Sequence, residues 1–150
     1  MSTTTTLAEL PALAGTDLGH SSWLTVDQER VNTFADATDD HQWIHVDPER
    51  AKAGPFGGPI AHGYLSLSLL IPLWSELLEV TDASTNVNYG LNKVRFPAPV
   101  PVDARVRLSA TLTEVEQIAG GAQVVVDTTL EVEGGTKPAC VAQAVLRFYA

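Results

Sequence analysis

Hydrophobic and polar positions follow two different rhythms along this chain. In the C-terminal half they alternate. Val106, Leu108, Ala110 and Leu112 are interleaved with Arg105, Arg107, Ser109 and Thr111. Val124, Val126, Leu130 and Val132 alternate with Gln123, Asp127, Thr129 and Glu131, and Cys140, Ala142, Ala144, Leu146 and Phe148 with Val141, Gln143, Val145 and Arg147. A period of two is that of a strand with one buried face. Gly120-Gly121 and Gly134-Gly135 supply turns between the runs, so the pattern predicts three long strands in an antiparallel meander. A further strand is expected over Val87–Phe96, ended by Pro97-Ala98-Pro99.

The N-terminal half has a helical rhythm. Val31, Phe34 and Ala35 share the apolar face of a helix that Thr25 and Gln28 would open as a capping box, and that ends near Thr38. Asp47-Pro48-Glu49 reads as N-cap, proline at the first helical position and an acid in the first turn, giving a short helix to about Ala53. Gly54-Pro55-Phe56-Gly57-Gly58-Pro59 is a loop. Ile60-Ala61-His62-Gly63 then leads into a long helix, bent by Pro72, whose apolar residues run almost all the way round: Leu65, Leu67, Leu69, Leu70, Ile71, Leu73, Trp74, Leu77 and Leu78. Such a helix is wrapped by protein on most sides. The expected class is α+β: one long central helix wrapped by an antiparallel sheet of about five strands. Residues 1–14 are expected to be a flexible segment, the threonine-rich start to Thr6 frayed, ahead of one domain over 15–150.

Composition narrows the class of function. With 150 residues and 45% hydrophobic residues, the chain can bury a core as one domain. A formal net charge of −9 argues against a nucleic-acid partner, since no basic stripe exists to neutralise phosphates. The lone Cys140 forms no internal disulfide, suits a reducing cytoplasm and reads as a buried, inert thiol. No targeting signal is apparent, and the apolar segment Tyr64–Leu78 is too short and too interrupted to span a bilayer, so no membrane partner is expected.

Chemistry concentrates in Asp39-Asp40-His41-Gln42-Trp43-Ile44-His45-Val46-Asp47, which holds two of the four histidines. Asp40 and His45 are five apart and would not face each other on a regular helix. A break between the two predicted helices can bring both to one point, and a carboxylate and an imidazole sharing a water suit general acid–base work near neutral pH. The plain alternative is a helix cap and a structural histidine.

A second motif changes that balance. Phe34-Ala35, Asp40, His45, Asp47 and Ala51, followed by Gly58-Pro59-Ile60-Ala61-His62-Gly63, resemble the MaoC-like dehydratases, the (R)-specific enoyl-CoA or type 2 hydratases. Tyr89 to Val100 resembles that family's strand after the central helix, and the likeness runs from about Leu18 to Tyr149. The resemblance implies a hot-dog fold and a homodimer paired through sheet edges. It implies hydration of a trans-2-enoyl thioester to the (R)-3-hydroxyacyl thioester, and the reverse dehydration, with no cofactor and no metal. Asp40 and His45 then form the catalytic pair, and Gly63 donates its backbone N–H to the thioester oxygen. The family usually carries Asn-Pro where Gln42 and Trp43 stand here; Gln42 retains an amide to hold water or His45.

Other positions carry two readings each. Asn92, Lys93 and Arg95 either contact the pantetheine or phosphates of an acyl-CoA or are ordinary solvent-facing strand positions. Trp43, Tyr64 and Trp74 are either acyl-pocket wall or core. His62 reads as a structural hydrogen bonder beside the substrate. Ser66 and Ser68 either line the pocket or bond back to the helix. A metal held by Asp39, His41, His45 and Asp47 is disfavoured because Asp47 is better explained as an N-cap. Leu146, Phe148 and Val87–Leu91 lie on candidate dimer-pairing strands. The competing functions are a hot-dog thioesterase, whose acid usually lies on the central helix, and a non-catalytic acyl-CoA-binding protein.

Overall fold

The computed structural model describes residues 2–150. Its C-terminal half is the meander that the alternation predicts: β6 (Arg105–Ile118), β7 (Gly121–Val132) and β8 (Cys140–Tyr149), preceded by β5 (Thr85–Arg95). The strand order is β2-β6-β7-β8-β5, where β2 is Thr16–His20, and the two-residue β3 (Leu24–Thr25) also pairs with β6. Val106, Leu108, Leu112, Val124, Val126 and Leu130 are all at most 1% exposed, so the alternation places one face inward without a slip. Gly120 turns at φ +78°, and a Cβ on Gly121 would sit 1.8 Å from the Phe148 carbonyl oxygen. That close approach of two backbones admits only glycine.

The helical half lies against the concave face. Helix α1 (Gln28–Thr38) is capped by Asp27, whose side chain accepts from the Arg30 N–H at 2.8 Å. Thr25, expected to be the cap, is instead committed to the sheet opposite Arg105. One-turn helix α2 (Trp43–Val46) and α3 (Pro48–Lys52) follow, and Asp47 caps α3 through the Arg50 N–H as its sequence predicts.

The central helix is shorter than expected and is split in two. It runs as α4 (Gly63–Ser68) and α5 (Leu70–Trp74), joined through Leu69. Pro72 has no N–H for the Ser68 carbonyl one turn back and its ring crowds that oxygen, which accounts for the break. Leu77 and Leu78 remain buried but leave the helix; Leu78 opens β4 (Leu78–Val80). One flank is also left bare: Leu67 is half-buried and Ile71 is 36% exposed. Tyr64, expected in the core or at a pocket wall, projects into solvent at 72% exposure with its ring edge-on to Phe96. Trp74 is in the core.

From residue 2 onward, the start of the chain departs from the flexible segment expected over residues 1–14. Thr3–Thr5 form β1, parallel to β4, and Leu10 in the short 3-10 turn that follows is fully buried. Burying Leu10 contributes about 1.5–3 kcal/mol toward holding the segment down, beside its backbone bonds to Leu77 and to the Asp82 side chain.

Strand β5 closes one end of the sheet. Among the described residues it pairs only with β8, and its outer edge is open. Leu146 and Phe148, expected on a pairing strand, are 3% and 4% exposed, and β8 is sandwiched between β7 and β5, so they have no free edge to offer.

Candidate active site

The end of α1 sets up the site. Asp39 closes the helix in the left-handed region (φ +61°), which a short polar side chain tolerates better than a branched one. The chain then runs out through an extended Gln42 and turns once as α2, carrying His45 inward. The break thus lies where the spacing required it. One carboxylate oxygen of Asp40 and one ring nitrogen each of His45 and His62 lie within 4.8 Å of one another. Asp40 is exposed; His45 and His62 are 6% and 2% exposed.

Hydrogen bonding fixes both imidazoles. His45 Nδ1 lies 2.6 Å from the Ile60 carbonyl oxygen. A carbonyl only accepts, so Nδ1 carries the hydrogen and Nε2 of the neutral ring is a bare lone pair. Burial pushes the His45 pKa below the ordinary 6.5, opposed by the Ile60 bond and by Asp40 and assisted by the His62 ring. Burial thus favours the neutral ring of His45. His62 donates through Nε2 to the Asp40 carbonyl oxygen at 2.9 Å. The two rings stack at 3.9 Å with planes 25° apart. Planes so nearly parallel meet well beyond the ~2.0–2.1 Å of a metal–nitrogen bond, so the stack is poorly shaped to share one cation.

The motif's other polar residues point elsewhere. His41 pairs with Asp36 on α1 at 3.0 Å, and that hydrogen bond raises its pKa. Gln42 is exposed and makes no side-chain hydrogen bond to His45. Trp43 occupies the first position of α2, where proline is also favoured, and packs on Arg50 and over Gly54, whose Cβ would come within 2.9 Å of the indole. It braces the loop and does not reach the cavity.

Beside His45 lies a cavity of about 370 Å³, walled by Phe56, Ile60, Ala61, Phe96 and the Pro97–Val100 segment, with Gly63 and Ser66 on its helical side. Gly63 is the first residue of α4, and among the described residues its N–H has no acceptor. Because α4 is only six residues long, the donor is this local N–H; a long helix dipole has no part in it. The Phe96 ring lies 3.4 Å from where a Cβ would stand. Ser68 bonds back to the Tyr64 carbonyl, whereas Ser66 is buried and makes no such bond among the described residues. Asn92, Lys93 and Arg95 do not line the cavity; Asn92 donates to Gln143 on the outer sheet face, and Arg95 to the neighbouring Val94 carbonyl. Sequence reasoning missed the aromatic walls Phe56 and Phe96, for which the loop composition held no signal.

The family model of the MaoC-like domain matches residues 9–135, and the chain belongs to the MaoC-like dehydratase family. Over the full length of both chains it is 56% identical to a 3-hydroxyacyl-thioester dehydratase Z of Mycobacterium tuberculosis. It is 46% identical to nodulation protein N of Rhizobium leguminosarum, over 91% of this chain and 86% of that one. Among solved structures it is similar to an (R)-hydratase from A. caviae involved in PHA biosynthesis (25% identity, TM-score 0.70, 85% of this chain and 93% of that one). No helix among the described residues is long and apolar enough to cross a membrane.

Proposed function

We propose that the chain catalyses (R)-specific hydration of trans-2-enoyl-CoA to (R)-3-hydroxyacyl-CoA, and the reverse dehydration. The observation that carries this reading is His45, its Nε2 lone pair free, beside the Asp40 carboxylate and lining a cavity with an unpaired Gly63 N–H. Asp40 and His45 hold one water. His45 Nε2 takes a proton as the water oxygen bonds C3, and the C2=C3 electrons move toward the thioester oxygen, where the Gly63 N–H receives the developing charge. The imidazolium then returns the proton to C2, so that one water has added across the double bond. General acid–base help of this kind is worth roughly 10²–10⁴-fold, and one oxyanion donor in a dry site roughly 3–4 kcal/mol. The relationship to a 3-hydroxyacyl-thioester dehydratase supports the substrate class, and the likeness to an (R)-hydratase supports the product stereochemistry.

The working form is a homodimer paired through β5. Support comes from the open edge of that strand and from the exposed Val87, Tyr89 and Leu91 beside the bare Ile71. Light scattering at micromolar concentration reads the mass; a fully active monomer would overturn the pairing.

The deciding assay follows crotonyl-CoA by its enoyl absorbance with free thiol measured in parallel. Loss of absorbance without thiol, giving the (R) isomer by chiral chromatography, is expected. Thiol release would indicate a thioesterase, and neither change a binding protein. Asp40→Asn and His45→Ala should each remove most activity, with the double variant little worse than either, because the two act as a unit.

A further inference from the structure

His62 does more than its place before the central helix requires. Its Nε2–H holds the Asp40 carbonyl, one face of its ring supports the His45 ring, and Phe34 packs near it at 4.9 Å. Two further bonds join the same segments: His45 Nδ1–H to the Ile60 carbonyl, and the Ile60 N–H to the Ile44 carbonyl at 3.0 Å. Residues 40–45 and 60–62 are thus laced together in both directions, and the lacing joins the segment that carries the acid and base to the one that leads into Gly63. His62 Nδ1, meanwhile, is buried with no partner among the described residues. An unmatched buried nitrogen is unfavourable, and a phenylalanine would fill the space without one. Packing alone therefore does not account for a histidine here.

We infer that His62 is a positioning residue for the catalytic pair: by tethering the main chain of Asp40 and backing the ring of His45, it sets both groups on one water. The inference rests on the hydratase reading above. It separates His62 from the catalytic residues, since its only donated hydrogen is spent on the Asp40 carbonyl.

Two variants divide its contacts. His62→Phe keeps a ring against His45 and loses the donor; His62→Gln keeps an amide donor and loses the ring. Holding a reacting group out of place by ~1 Å costs about 100-fold in rate, so His62→Phe should lower kcat on crotonyl-CoA by about that factor while KM changes little. His62→Gln should fall between it and the wild type. In an Asp40→Asn background the same His62→Phe change should cost only about threefold or less, because the group it positions is already gone. A merely structural histidine would cost the same in both backgrounds, and equal losses overturn the inference.

Amide hydrogen exchange supplies a readout that needs no turnover. In His62→Phe, or in His62→Leu should the first not fold, the α2 amides of His45, Val46 and Asp47 should exchange roughly five- to tenfold faster, as loss of one buried hydrogen bond gives, with β7 unchanged. Unchanged α2 exchange in His62→Phe overturns the clasp. A wild type that hydrates no enoyl thioester overturns the hydratase reading instead, and exchange still decides whether the clasp exists.

Discussion

Titration of His45 should leave a signature in stability as well as in rate. The ring is 6% exposed and burial lowers its pKa below 6.5, whereas in the unfolded chain it titrates near 6.5. Below pH 6.5 the unfolded state therefore binds a proton that the native state refuses. The stability contributed by neutral His45 is complete above pH 6.5 and is lost as pH falls through the native pKa. In that window the slope is at most about 1.4 kcal/mol per pH unit. His45→Gln removes the titration but keeps an amide that can donate to the Ile60 carbonyl, so comparing the two proteins isolates it. Urea midpoints measured from pH 8 to pH 5 should fall faster for the wild type, the curves separating by about 0.5 M for each kcal/mol lost. His41 acts with the opposite sign: its raised pKa means that its contribution, a surface one, is present below pH 6.5 and fades above it. His41→Ala in both backgrounds removes that interference. Parallel midpoint curves for wild type and His45→Gln would refute the picture of a buried neutral base.

Other substitutions test the frame around the site. Gly121→Ala places a methyl 1.8 Å from the Phe148 carbonyl, so β7 and β8 must part locally; a loss beyond ~3 kcal/mol is expected from chemical denaturation, larger than ordinary overpacking. Gly54→Ala meets the Trp43 indole at 2.9 Å, but that side chain is half-exposed and can yield, so a loss of about 1 kcal/mol with changed tryptophan fluorescence is expected. Cys140 is 1% exposed and its pKa is raised to about 11 by burial, so a thiol reagent at pH 8 should label it only at the unfolding rate.

The meander was legible because its signal is local: Val106 to Leu112 and Val124 to Leu130 declare a buried face by alternation alone, and Gly120-Gly121 declares the turn. The break between α1 and α2 was legible for a similar reason, since the Asp47 cap and the end of α1 bracket it. What escaped depends on partners distant in sequence. Thr3–Thr5 carry no strand pattern of their own and become a strand only because Leu78–Val80 lies alongside. Leu77 and Leu78 look helical until that pairing takes Leu78. Tyr64 sits on an apolar helix whose outer flank no described residue covers, and Leu146 and Phe148 could be assigned an edge only before β5 was known to pair with β8. His62 reads as a hydrogen bonder, but that its bond goes to the main chain of Asp40, 22 residues earlier, is a fact of the fold.

The pairing of β1 with β4 has a consequence for how the chain acquires its shape. Thr3 and Leu78 are register partners 75 positions apart, and the helices and the acid–histidine loop lie between them. Closing a loop that long costs about 2 kcal/mol more than closing one of ten residues, and three residue pairs give little in return. The strap should therefore form after the meander and loosen before it. The end of the molecule held by that strap is then completed last and opened first, while the sheet stays intact.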